Sequence, residues 1–309
     1  MLSKMHFGKY SNWIEFPARE PLAADDLPFH HYSLRHRAIA WISRHLFDRF
    51  SYTVRHGLIR GMKRKGGLGW IPAWLSHGSQ TQEEMFWSEL RLDGLVVYDV
   101  GAYHGILTLF FASRAAQVIA YEPNHANRAR LIENVWLNDL TNVEVRKLGV
   151  GSAPGAGTLT YDPAMAGGGT LNSNVLAPVS QRVEITTLDR DIAAAGLPPP
   201  DLIKIDIEGW ELEALKGSRA TIAAHHPALF LEMHGETMRE KRRKACEILA
   251  FLRGAGYARI LHVESGAEIV PGNEAVAAEG HLYCRYTAIR NTLWPINIFS
   301  TPPKANSES

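Results

Sequence analysis

Cysteine is nearly absent from this sequence. Cys246 and Cys284 are the only two among 309 residues, they form no CxxC pair, and no histidine stands at zinc-ligand spacing from either. Neither a disulfide framework nor a cysteine-based zinc site is therefore encoded, and no metal is expected. Two reduced thiols packed as small apolar groups, in a cytoplasmic protein, are the expectation. Net charge is equally scarce. The 33 Lys and Arg nearly cancel the 32 Asp and Glu, leaving +1, too little for a global field that draws in nucleic acid. Long apolar runs are missing too. The longest, around residues 106–116, is interrupted by Thr108, Ser113 and Arg114 and falls short of the ~20 apolar residues that span a bilayer. Residues 1–16 hold no continuous apolar stretch of the kind a secretory leader uses. What is present is ordinary globular usage, 46% hydrophobic and 21% charged, with length enough for a sizeable core.

Residues 1–80 differ from the rest in being rich in His, Arg and Trp. The segment HHYSLRHRAIAWISRHLFDRF, with apolar Leu34, Ile39, Ile42, Leu46 and Phe47, predicts a helical N-terminal extension. The basic cluster Arg55, Arg60, Lys63, Arg64 and Lys65 reads as a solvated face, or as a contact for an acidic partner or anionic surface. From residue 81 strands and helices alternate. Thr81 and Glu84 stand at capping-box spacing. Strands are expected at 95–100, 118–122, 143–150, 201–206, 228–234, 259–263 and 281–286, with two short ones at 158–161 and 183–187 where the alternation breaks, and helices at 106–116, 124–139 and 236–253 and one starting at 210–215. This pattern predicts a doubly wound α/β domain over 81–290 with a mostly parallel sheet, followed by a tail at 291–309. Ligands of such sheets sit at the carboxyl ends of the strands. The Gly-, Asn- and Pro-rich loop from Asp162 to Ser180 is expected to act as a lid or to remain a surface loop.

Two strand tips carry the chemistry. In DVGAYHG (99–105), Asp99 ends a buried strand and Gly101 and Gly105 turn the chain into a helix, whose first N–H groups can receive a carboxylate. The next strand ends in Glu122, placed to bond ribose hydroxyls; Pro123 stops that strand and Asn124 caps the following helix. Gly149 leaves room for an adenine to lie flat. These features suit S-adenosyl-L-methionine, its carboxylate at the helix start and its ammonium facing Asp99. Tyr103 lies within the same turn. The spacing is G-x-x-x-G rather than the G-x-G-x-x-G of nicotinamide sites, so an oxidoreductase fits less well; a non-catalytic scaffold of the same fold is the other alternative. In DLIKIDIEGWELEALKG (201–217), Lys204, Asp206 and Glu208 occupy alternate positions and so face one side. Three charged groups at a buried strand end are costly unless paired or used.

Together VYDVGAYHG, YEPNHANRARLIENVWLN, TTLD, DLIKIDIEGWELEALKG and HPALFLEMH resemble the FkbM family of methyltransferases over residues 81–240. The resemblance implies a class I, Rossmann-like fold with seven strands. It also implies methyl transfer from S-adenosyl-L-methionine, usually to a hydroxyl oxygen of a small molecule or sugar. One departure is Tyr103, where the family commonly has Asn. An alcohol acceptor must lose a proton, and Asp206, Glu208, Glu232, His234 and His104 are candidates. Asp206 and Glu208 are expected to shape the acceptor side, with His234 or His104 taking the proton. A nucleic-acid acceptor is not expected: there is no N-P-P-[YFW] string, no catalytic cysteine motif and no basic excess. The oligomeric state is left open.

Overall fold

A computed structural model of the chain describes residues 50–66, 81–161, 169–170 and 179–286. The first two strands, β1 (Ser51–Thr53) and β2 (Lys63–Lys65), pair antiparallel, so this part of the N-terminal extension is a hairpin where the sequence predicts helix. Gly57 and Gly61, at φ +77° and +89°, turn the chain between them. The helix expected over residues 30–50 lies, apart from Phe50, outside the described residues.

Helix α1 (Gln82–Glu89) begins as the capping box predicts, the Thr81 side chain accepting from the Glu84 N–H at 3.0 Å, and it buries Phe86 and Trp87 under the sheet. There follow β3 (Val96–Val100), α2 (Ile106–Ala112), β4 (Gln117–Tyr121), α3 (His125–Leu137) and β5 (Val143–Arg146). Val97, Tyr98, Val100, Val118, Ile119 and Ala120 are fully buried, as a parallel strand covered on both faces requires. The hairpin docks on α3 through asparagine amides. Asn138 accepts the Lys63 N–H at 2.8 Å and returns a bond to its carbonyl at 2.7 Å, while Asn134 accepts the Lys65 N–H. Lys65 pairs with Glu133 and Arg64 is buried, so the basic cluster is in part a docking surface and not only a solvated face.

The run 143–150, read as one strand, divides. Residues 143–146 stay in the main sheet, whereas β6 (Gly149–Val150) crosses to a second sheet with β7 (Gly155–Tyr161), β8 (Gly169–Thr170) and β9 (Val179–Thr186), in the order β6-β9-β7-β8. Of the expected lid loop, residues 162–168 and 171–178 lie outside the described residues. The chain then returns through α4 (Leu188–Ala195), β10 (Leu202–Ile205), α5 (Glu211–Lys216), α6 (Arg219–His225), β11 (Ala228–Glu232), α7 (Met238–Gly254), β12 (Arg259–His262) and β13 (His281–Arg285).

The main sheet has the order β12-β13-β11-β10-β3-β4-β5. β13 runs antiparallel to both neighbours; the other ladders are parallel. This is the expected doubly wound, mostly parallel seven-stranded fold. The first strand of the alternating unit, β3, lies between β4 and β10, so the chain leaves it in both directions and a crevice opens at its carboxyl end. No helix among the described residues is long and apolar enough to cross a membrane.

Candidate active site

At that carboxyl end lies a cavity of about 300 Å³, within the range that holds small organic ligands. Four strand tips build its wall: Gly101 and Tyr103 after β3, Glu122 and Pro123 after β4, Asp206 and Glu208 after β10, and Glu232 and His234 at the end of β11, with Gly149 closing one side. Eight of the twelve site residues expected from sequence therefore share this space with Glu232, which the sequence also offered as a proton acceptor; the other four surround it.

Gly101 is where the two signature loops touch. It sits at φ +85°, and a Cβ there would fall 1.8 Å from the Asp206 carbonyl oxygen. Beside it Tyr103 adopts φ +50°, a left-handed conformation that asparagine accepts more readily than tyrosine. The Tyr103 N–H donates to Glu122 Oε2 and the Asn124 N–H to Oε1, both at 2.8 Å. Glu122 is 6% exposed. Burial pushes its carboxyl up to about 7, against the pull of those two N–H groups and the more distant Lys204 and Arg128. Each carboxylate oxygen retains capacity for a further donor.

Asp99, Gly105, Asn124 and His104 do not line the cavity. Asp99 is fully buried; it accepts from Thr108 Oγ1 at 2.6 Å and lies 3.2 Å from Lys204 Nζ, its register partner on β10. It braces Lys204, which donates to the Gly101 carbonyl at 2.9 Å and pairs with Asp206 at 3.2 Å. Lys204 thus joins Asp99 to Asp206, rather than Asp206 to Glu208. Gly105 caps α2 in a left-handed turn against Leu131, and Asn124 caps α3 by accepting from Ala126 and Asn127. His104 stacks on Tyr103, ring centroids 3.8 Å apart.

On the far wall His234 is ringed by carboxylates. Its Nδ1 is 3.0 Å from Glu211 Oε1, and its Nε2 lies 3.4, 3.5 and 3.7 Å from Glu232, Glu208 and Asp206. Against the cost of burial, the bonds to Glu211 and Glu232 raise its pKa to about 11, so it is an imidazolium at neutral pH. One ligand-type atom from each of Asp206, Glu232 and His234 lies within 4.8 Å of the others, and a cation there would have to displace the proton that His234 shares with its carboxylate neighbours. Burial raises the Asp206 carboxyl, opposed by Lys204, and lifts Glu208 to about 7, opposed by His234. Glu208 holds φ +54°, a strained conformation for a non-glycine residue. Glu211, 1% exposed on the first turn of α5, was not singled out from sequence. An acidic residue in the first turn of a helix directly after a signature loop is the signal that marks it.

The methyltransferase FkbM domain matches residues 99–258, just over half of the chain. The chain belongs to the FkbM methyltransferase family. This FkbM chain is 32% identical over 123 residues to the hexuronic acid methyltransferase AglP of Haloferax volcanii, covering 40% of this chain and 49% of AglP. It is 30% identical over 153 residues to methyltransferase sdnD of Sordaria araneosa, covering 39% of this chain and 59% of sdnD. The alignments thus span about half to three-fifths of these relatives' own length. The crystal structure of methyltransferase FkbM from Methylobacillus flagellatus superposes with a TM-score of 0.42 at 19% identity, over 70% of this chain and 51% of that one.

Proposed function

We propose that the chain is an S-adenosyl-L-methionine-dependent methyltransferase acting on a hydroxyl oxygen of a small molecule or carbohydrate. The observation that carries this reading is that one cavity joins Glu122 to the Asp206, Glu208 and His234 group. S-adenosyl-L-methionine, bound there, supplies a methyl group already activated on a sulfonium. The residues present suit it. Glu122 has acceptor capacity for two ribose hydroxyls, Gly101 keeps the backbone open to close approach, and Gly149 leaves a flat face. Asp99 acts behind the wall, holding Lys204 and so the Gly101 loop.

An alcohol also needs its proton removed, which is worth about 10²–10⁴-fold. Glu208 suits this task, because a carboxylate raised to about 7 binds a proton near working pH. His234, cationic until about pH 11, holds Glu208, Glu232 and Asp206 in place instead of accepting the proton, and His104 stands off the wall. The sugar named for the relative AglP motivates carbohydrates as the first acceptors to try. Incubation with methyl-labelled cofactor and a panel of hexuronates, neutral glycosides and simple phenols, read by mass spectrometry, is the test. Label on a hydroxyl oxygen is the expected result; label found solely on the hexuronate carboxylate or on ring carbon would refute the hydroxyl assignment.

A further inference from the structure

Glu232 is held from both sides. Its Oε1 lies 3.4 Å from His234 Nε2, and its Oε2 lies 3.6 Å from His281 Nε2. His281 opens β13, and the antiparallel register sets it opposite Glu232. Its second ring nitrogen, Nδ1, bonds Glu264, whose other oxygen accepts the His281 backbone N–H at 2.9 Å. Glu264 reaches that position because residue 280 is glycine at φ +66°: a Cβ there would fall 2.2 Å from Glu264 Oε2. His262 steadies Glu264 from behind at 3.2 Å, itself fixed by Ser265 and the Glu279 carbonyl. His281 is also flanked by Glu83 of α1 at 3.9 Å and by the Phe230 ring, with centroids 5.1 Å apart. No step of the proposed reaction uses this arrangement, yet it ends on a residue of the cavity wall.

We propose that His281 is a positioning residue for the acceptor side of the cavity: clamped through Nδ1 by Glu264, it turns Nε2 onto Glu232 and fixes that carboxylate against His234. The inference rests on reading the carboxylate–histidine cluster as the acceptor side. The hydrogen bond at one ring nitrogen sets what the other presents, and Glu264 thus fixes a donor toward Glu232. A glutamate with one partner still rotates about its terminal bonds; with an imidazole on each oxygen it has one orientation. The electrostatics agree. Burial opposes it, but Glu232 and Glu264 hold His281 protonated up to about 10, and the two imidazoles hold Glu232 far below the usual carboxylate range.

The test is a carboxyl ¹³C titration of glutamate-labelled, EDTA-treated protein, with binding of S-adenosylhomocysteine measured alongside. In the wild type, Glu232 stays ionised wherever the protein is folded. In His281→Phe its midpoint moves up by about one to three pH units, the scale of losing one adjacent opposite charge. His281→Gln, which keeps a donor without the charge, moves it less. Gly280→Ala, which displaces Glu264 and leaves His281 in place, moves it in the same direction. An unchanged Glu232 titration in both His281→Gln and Gly280→Ala would overturn the proposal, even if His281→Phe fails to fold. Failure of the wild type to bind S-adenosylhomocysteine would instead sink the methyl-donor reading and leave the titration result standing.

Discussion

Burial holds the Glu122 carboxyl near 7 while two backbone N–H groups pull it down. A free-state pKa raised above its unfolded value means that ionisation costs stability as pH climbs through 7. A ligand whose hydroxyls donate to this carboxylate favours the ionised form. Binding then releases a proton below pH 7, and affinity for S-adenosylhomocysteine falls by up to about tenfold per pH unit on the acid side and levels off above. Calorimetry on either side of neutrality checks this; a flat profile would remove Glu122 from the ligand contacts. Glu122→Ala should weaken the same binding by about 1–3 kcal/mol. Glu208→Gln should lower turnover by about 10²–10⁴-fold at unchanged S-adenosylhomocysteine affinity, and unaltered turnover would exclude it as the base. At this scale the sequence was legible where chemistry and position coincide, as at Glu122, Asp206 and Glu208. It was opaque where strand register decides. Asp99 and Lys204 are partners across a ladder, so Asp99 points at Lys204 rather than into the cavity, and nothing local to DVGAYHG records that. The surroundings of His234 were hidden for a similar reason: of its four carboxylate neighbours, three come from residues 206–211 and the fourth, Glu232, from the adjacent strand β11.

Elements place these side chains by touching at few points. The loop after β3 meets the loop after β10 at Gly101, where no Cβ fits. Gly101→Ala should therefore cost at least about 1–3 kcal/mol from backbone strain alone and lower S-adenosylhomocysteine affinity as the loops part; a melting curve and an affinity equal to wild type would contradict the close approach. Most strands and helices were readable because buried β-branched runs and capping residues are local signals. The exceptions were governed by distant partners. The strand expected over 143–150 splits because Gly149 and Val150 pair with β9, and the hairpin at residues 51–65 exists because Asn134 and Asn138 of α3 bond its edge. The segment HLYCRY was legible as a strand, but not its reversal, which alone carries His281 to Glu232.

For the whole molecule, the order β12-β13-β11-β10-β3-β4-β5 gathers loops far apart in sequence at one end of the sheet, and the cavity forms where the chain leaves β3 in both directions. The alternation of strands and helices made that architecture legible in the sequence; of the second sheet the strands at 158–161 and 183–187 were legible, but not their pairing with Gly149 and Val150 into a sheet of their own. The account stands or falls on what this cavity takes up. Calorimetric titration of the purified chain with S-adenosylhomocysteine, and separately with NAD, measures it directly. The expected result is saturable uptake of S-adenosylhomocysteine at one per chain and no heat from NAD. Saturable NAD binding with no uptake of S-adenosylhomocysteine would contradict it.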